Sequence, residues 1–361
     1  MPKPDKTVTM TRVARRARVS QPTVSLVLSG KAAASRIPPA TVARVEEVAR
    51  RLGYAPRRRI ARASRPLAAP RPVASRTVAV LFVEFRGLSG DVLYSPAYLG
   101  FCRAATGCAV RQHGGMGWDR FADWVASGTL ARHDGAVLFT HRDVTAAELK
   151  PLERLGLPWV LVNRDPEGLR APRVLFDAYN VAYGLMETLL QQGHRRIALF
   201  GTRAAIPSAI GQRDGYRDAL HAAGCRDPAL EVLDTAYWSD EDARAGVRDL
   251  LLRRPDVTAL SFFFDWRAEG IYQGVRDAGR RIPRDLSVVA TGGQPAAQRV
   301  VPPLTTVRYP MHEMGEAAFR LLERMWRGEA VPERTVLPGE LLAGGSVGPA
   351  PLGPPRTQES A

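Results

Sequence analysis

Residues 8–31 read VTMTRVARRARVSQPTVSLVLSGK. Met10, Val13, Ala14 and Ala17 recur at i, i+3, i+4 and i+7 behind Thr9, an N-cap residue type, and that spacing predicts a short amphipathic helix. Ala17-Arg18-Val19-Ser20 follows as a tight turn, and Ser20 is placed to cap a second helix carrying Val24, Val27 and Leu28 on one arc. At 100° per residue, Pro22, Ser25, Leu26 and Ser29 fall on the opposite arc. A third helix opens at Pro38-Pro39, with Val42, Val45, Val48, Ala49 and Leu52 at helical spacing, and Gly53 stands where a C-terminal cap belongs. Three short helices in about fifty residues make a unit of the size that enters a DNA groove.

The charge supports that reading. The 361-residue chain carries a formal +15. Residues 1–76 hold 18 Lys or Arg against Asp5, Glu46 and Glu47, whereas residues 77–361 hold 33 of each sign. A basic module on a neutral body suits a polyanion, because its cations displace condensed counterions from phosphates. Within the second helix, Gln21 lies at the N-terminal end, where an amide can pair with adenine, and Leu26 can touch a thymine methyl. Leu26 packed on another helix or subunit is the alternative. Thr9, Ser20, Thr23, Ser25 and Ser29 are short hydroxyl donors for phosphate oxygens. Residues 57–76, RRRIARASRPLAAPRPVASR, combine Arg57, Arg58, Arg59, Arg62 and Arg65 with Pro66, Pro70 and Pro72 and read as a basic connector.

From Thr77 the texture changes. Apolar runs at 77–85, 135–140, 158–162, 196–201, 257–263 and 286–291 alternate with helical segments, the pattern of parallel sheets with crossover helices, and their number fits two doubly wound lobes. No apolar run reaches the roughly 18 residues of a membrane helix, and the N-terminus lacks an apolar leader, so a cytoplasmic, nucleoid-associated protein without membrane contact is expected. Cys102, Cys108 and Cys225 lack metal spacing and read as reduced thiols. The six histidines are scattered along the chain. No phosphate loop, dinucleotide fingerprint, nucleophile elbow or H-E-x-x-H occurs, so no enzyme, cofactor or metal is expected.

Residues 8–31, followed by TVARVEEVARRLGYAP at 41–56, resemble the helix-turn-helix head of the lactose-repressor and galactose-repressor family. The pattern V-T-x-x-x-V-A-x-x-A-x-V-S-x-x-T-V-S is met from Val8 to Ser25, and L-G-Y-x-P closes at Leu52–Pro56. GHRRIALFG at 193–201, RIPRDLSVVA at 281–290 and PPLTTVRYPMHEMGEAA at 302–318 are similar to the family's body, so the resemblance runs to about Ser346. It implies an all-α helix-turn-helix head plus an α/β two-lobed body like a periplasmic binding protein, with two doubly wound parallel sheets. It also implies a repressor that binds a near-palindromic operator as a homodimer and responds to a small molecule. The implied divisions are a DNA-binding head at 1–56, a hinge at 57–76, an effector-binding and dimerisation body at 77–347, and a disordered tail at 348–361. Lobe 1 takes about 77–176 and 309–336, and lobe 2 about 177–308 and 337–347. Crossings fall near Phe176-Asp177, Tyr309 and Leu337.

In this reading Gln21, Pro22 and Leu26 read bases. The phosphates go to Thr9, Ser20, Thr23, Ser25 and Ser29 together with Arg57, Arg58, Arg59 and Arg62. Effector contacts by position are Asn163, Gln212, Arg213, Trp238, Phe264, Asp265, Trp266 and Gln294. The departures from the family pattern shape the expectation. Arg18 replaces a turn glycine, Leu26 stands where many members carry a base-reading arginine, and Ala63 or Ser64 takes the place of the hinge leucine. Gln212 replaces an effector-contacting arginine, and Gly292-Gly293 replaces an acidic pair. Loss of carboxylates with gain of Phe263, Phe264 and Trp266 suits a ligand less polar than a plain sugar, unless both phenylalanines are strand core. Asp265 either touches the ligand or caps the helix that follows. The alternative for the whole chain is a ligand-binding module held to nucleic acid without sequence choice.

Overall fold

The computed structural model describes residues 10–28, 38–51, 75–84, 94–203, 207–233 and 239–351. The chain divides into two compact units on either side of residue 62. The smaller contains α1 (Met10–Ala17), α2 (Gln21–Leu28) and α3 (Pro39–Arg51). Val13, Ala14, Ala17, Val24, Val27, Val45 and Ala49 close its core, the side chains that the apolar spacing places inward.

The α1–α2 turn is stitched by its backbone. Arg18 takes φ 53°, its N–H donates to the Arg15 carbonyl, and the Val19 N–H donates to the Ala14 carbonyl. That pair of bonds is a Schellman close built around a left-handed residue, the position at which glycine is least strained. Ser20 then caps α2, its Oγ accepting from the Thr23 N–H at 3.3 Å while its carbonyl accepts from Val24. Arg44 on α3 donates from Nε to the Ala17 carbonyl at 2.9 Å and braces the end of α1.

The larger unit carries two six-stranded sheets. In the first, β1 (Thr77–Val83), β2 (Ala109–Met116), β3 (Gly135–Thr140), β4 (Trp159–Val162), β5 (Arg173–Phe176) and β11 (Arg334–Leu337) stand in the order β11-β5-β4-β3-β1-β2. In the second, β6 (Ile197–Gly201), β7 (Glu231–Leu233), β8 (Ala259–Phe262), β9 (Ser287–Gly292), β10 (Thr305–Arg308) and β12 (Glu340–Leu342) stand in the order β12-β10-β9-β8-β6-β7. Among the described pairings only β12 on β10 is antiparallel. Parallel pairing demands crossover helices, and helices cover both faces of each sheet. In lobe 1 these are α4 (Ser95–Ala104) and α12 (Met311–Trp326) on one face, with α5 (Trp118–Ala126) and α6 (Ala146–Arg154) on the other. In lobe 2, α9 (Asp240–Arg253), α10 (Ala268–Asp277) and α11 (Pro295–Arg299) face α7 (Ala178–Gln191) and α8 (Pro207–Ala222) across the sheet.

The chain passes between the sheets three times: after β5, after β10 and between β11 and β12. Between β1 and β3, residues 94–116 supply α4 and β2. Helices α4 and α12 touch backbone to backbone, since a Cβ on Gly100 would overlap the His312 carbonyl and one on Gly315 would overlap the Ala97 carbonyl. Residues 348–350, assigned from the sequence to a terminal tail, are hydrogen bonded: the Gly348 carbonyl lies 3.0 Å from His194 Nε2, and the Ala350 N–H donates to the Gln192 carbonyl.

Candidate DNA-reading helix and effector cleft

Helix α2 presents Gln21 as an exposed first residue, half-buried Thr23 bonded to Ser20 at 2.9 Å, and half-buried Leu26 on the arc opposite Val24 and Val27. The side chain of Ser20 therefore has a structural duty as a cap beside any phosphate contact. Pro22 and Ser25 belong to α2 by backbone, and their side chains lie outside the described residues, as do Thr9, Ser29, Arg57, Arg58, Arg59 and Arg62. Arg15, Arg16 and Arg18 cluster exposed at the end of α1, giving the described head a cationic edge.

The C-terminal ends of parallel strands are where open α/β sheets hold ligands. In lobe 2 that end is built around Asp265, which is fully buried. Its Oδ2 accepts from the Gly293 N–H at 2.6 Å, the Gln294 N–H at 3.0 Å and Thr306 Oγ1 at 2.8 Å, while Oδ1 has no partner among the described residues. Burial pushes the carboxyl up to about 6, against the pull of those three donors. Asp265 opens a single 3-10 turn at Asp265–Arg267 but makes no capping bond there; it holds the loop after β9 instead. This explains the glycine pair. Gly292 takes φ 139° and Gly293 φ 71°, a Cβ on Gly292 would overlap Asp265 Oδ1, and one on Gly293 would overlap the Arg308 backbone.

Gln212 lies deeper than a ligand contact needs. It is 2% exposed, its Nε2 donates to the Tyr309 hydroxyl at 3.1 Å, and its Oε1 accepts from Thr291 Oγ1 at 2.8 Å. Tyr309 donates in turn to the Phe263 carbonyl at 3.2 Å and tilts against Phe176, with ring centroids 4.4 Å apart. Two crossing residues and a lobe-2 amide thus share one buried cluster. Arg213, one position on, donates to the Thr202 carbonyl at 2.5 Å.

Phe263, the residue after β8, is buried in the core with Leu199 and Val289. Phe264 and Trp266 are half-buried and stack at 4.3 Å with planes 7° apart. Gln294, half-buried, begins α11. Trp238 lies outside the described residues.

In lobe 1, Asn163 takes φ 59° at the end of β4 and points Nδ2 at the Tyr94 hydroxyl, 3.4 Å away. Arg164, absent from the candidates read from sequence, is 2% exposed and donates to the Tyr94 hydroxyl, to the carbonyls of Asn163 and Arg142, and to that of His141. Its partners are all neutral. Trp118, also unanticipated, donates from Nε1 to Thr140 Oγ1 at 3.3 Å and carries the Arg142 guanidinium 4.9 Å above its ring. Only position after the C-terminal ends of β4 and β2 could have flagged these two groups in the sequence.

Residues 9–57 match the description of bacterial regulatory proteins of the lacI family, and residues 186–347 match a periplasmic binding protein-like domain. The regulator CelR of Thermobifida fusca is 31% identical over 350 residues, covering 92% of this chain and 96% of that protein. Catabolite control protein A of Priestia megaterium is 27% identical, with 91% and 96% covered. A solved CelR–cellobiose complex is similar at 29% identity and TM-score 0.65, covering 94% of this chain and all of that one. These relatives are transcription regulators, not enzymes, and among the described residues no helix is long and apolar enough to cross a membrane. With a capped recognition helix on a basic head and two parallel-sheet lobes joined by three crossings, this chain belongs to the lacI family of DNA-binding bacterial regulators.

Proposed function

We propose that this regulator is a ligand-responsive repressor that binds a near-palindromic operator as a homodimer, with Gln21, Pro22 and Leu26 reading bases. Exposed Gln21 at the start of a capped helix, with Leu26 on the arc away from the head's core, is the observation that carries the reading. Hydroxyls from Thr9 to Ser29 and the arginines at 57–59 and 62 hold the phosphates. Selection of bound duplexes from fragmented genomic DNA, then titration of the best site against scrambled DNA at several salt concentrations, tests it. A two-fold-related motif bound roughly a thousand times more tightly than scrambled DNA is expected. Equal binding to every sequence would make the head a non-specific tether.

The effector proposed for the cleft has a flat apolar face and is less polar than a plain sugar. Asp265 and Gln212 are occupied by the protein's own groups, and the stacked Phe264–Trp266 pair offers the apolar surface in their place. A structure of the related CelR holds cellobiose. Thermal-shift and calorimetric titrations should therefore rank aryl glycosides above cellobiose, and Trp266→Ala should weaken the preferred ligand about tenfold or more. Cellobiose binding as tightly as its aryl analogues would remove the proposal.

A further inference from the structure

Two of the scattered histidines meet at the outer edge of lobe 1. His113 lies on edge strand β2, and His133 precedes β3, twenty residues along the chain. Their Nε2 atoms stand 3.3 Å apart, with rings at 71°. Two imidazoles on a tetrahedral Zn²⁺ bind at about 2.0–2.1 Å, which sets their nitrogens about 3.3 Å apart. We infer that His113 and His133 form a binding site for a divalent transition cation of the Zn²⁺, Ni²⁺ or Cu²⁺ class, bound through both Nε2 atoms with water completing the coordination.

Three further observations bear on it. Nδ1 of His133 is sealed from solvent, which leaves Nε2 as that ring's outward-facing nitrogen. Burial, Arg111 and, for His113, the other ring hold both imidazoles below their ordinary range. Both rings are half-exposed, so a cation reaches them from solvent. Without metal, one Nε2–H donates to the other ring; with metal, the donating ring carries its proton on Nδ1 instead, and no net proton is released. The surroundings also oppose binding. Arg111 faces both rings and repels a cation, whereas Asp134 favours it. Among the described residues no third His, Cys, Asp or Glu completes the set, which makes this a two-donor site of modest affinity.

Trp124 supplies the readout, its ring 5.2 Å from His113. Untagged full-length protein in chelator-free buffer is titrated with CuCl₂ or NiCl₂ for tryptophan quenching and with ZnCl₂ for calorimetry. Expected are one equivalent bound, quenching that Trp124→Phe lacks while keeping the heat of binding, and loss of both signals in His113→Ala and His133→Ala. Each loss should exceed the roughly 10–100-fold that removing an outer-shell partner costs. Should the alanine variants unfold, Arg111→Glu decides: exchanging the repelling cation for a carboxylate donor should tighten binding at least about tenfold. Metal binding that is unchanged in well-folded alanine variants, or Arg111→Glu binding no tighter than the wild type, would show the pair to be a hydrogen-bonded edge contact only.

Discussion

Arg18 holds a conformation that its side chain disfavours. Left-handed backbone costs a non-glycine residue about 1–2 kcal/mol, partly offset because glycine gains entropy in the unfolded chain. Arg18→Gly should therefore stabilise the head by about 0.5–1 kcal/mol, visible as slower hydrogen exchange of the α1 and α2 amides. Unchanged or faster exchange would place the arginine's contribution elsewhere. Asp265 gives a pH test. Its carboxyl is raised from 3.8 to about 6 in the folded chain, so between those values the native state binds more protons than the unfolded state. This group's contribution to stability therefore falls as pH rises from about 4 to about 6 and is level above. In Asp265→Asn the oxygen can still accept from Gly293 and Gln294, but nothing titrates. Denaturant titrations should show the wild type losing stability relative to the variant across that window, and a difference independent of pH would exclude a raised carboxyl.

At the scale of elements, the proposed function gives α2 the base contacts. Leu26→Arg should change which operator is preferred, because a guanidinium at that arc pairs with guanine where the leucine met a methyl. Arg58→Ala should weaken all DNAs alike and flatten the salt dependence. Competitive selection with both variants separates the roles, and equal losses on every sequence for both would remove the base-reading assignment. Elements were also what the sequence displayed best. The head's helices depend on spacings of three and four residues, so Val13, Ala14, Val24 and Val45 announce their burial locally. Strands at 135–140 and 196–201 are continuous apolar runs and were equally plain, whereas β7, β11 and β12 are three- or four-residue edge strands with exposed or half-buried positions and left no such trace.

In the larger unit as a whole, the decisive contacts join distant segments. Tyr309 lies against Phe176 and is hydrogen bonded with Gln212, 97 residues away. Tyr309→Phe would leave the Gln212 amide buried without its acceptor, at a cost of about 1–3 kcal/mol. Exchange should then quicken in both sheets, around 173–176 and around 287–292; a change confined to one sheet would mean that the tyrosine serves a single lobe. Distance also explains why the cleft was only half legible. Asn163 and Trp266 can be placed just beyond strand ends from the sequence, but the partners of Asp265 lie 28, 29 and 41 residues away and no local pattern names them. The three crossings have a consequence for biosynthesis. Lobe 1 takes its last strand from 334–337, and lobe 2 takes its last strand from 340–342 and a buried serine, Ser346, that bonds Val288 and Thr305. Neither sheet can close until residues 334–342 have left the ribosome, whereas all three helices of the head lie within residues 10–51. The DNA-binding unit of each nascent chain is thus complete long before the unit that would govern it.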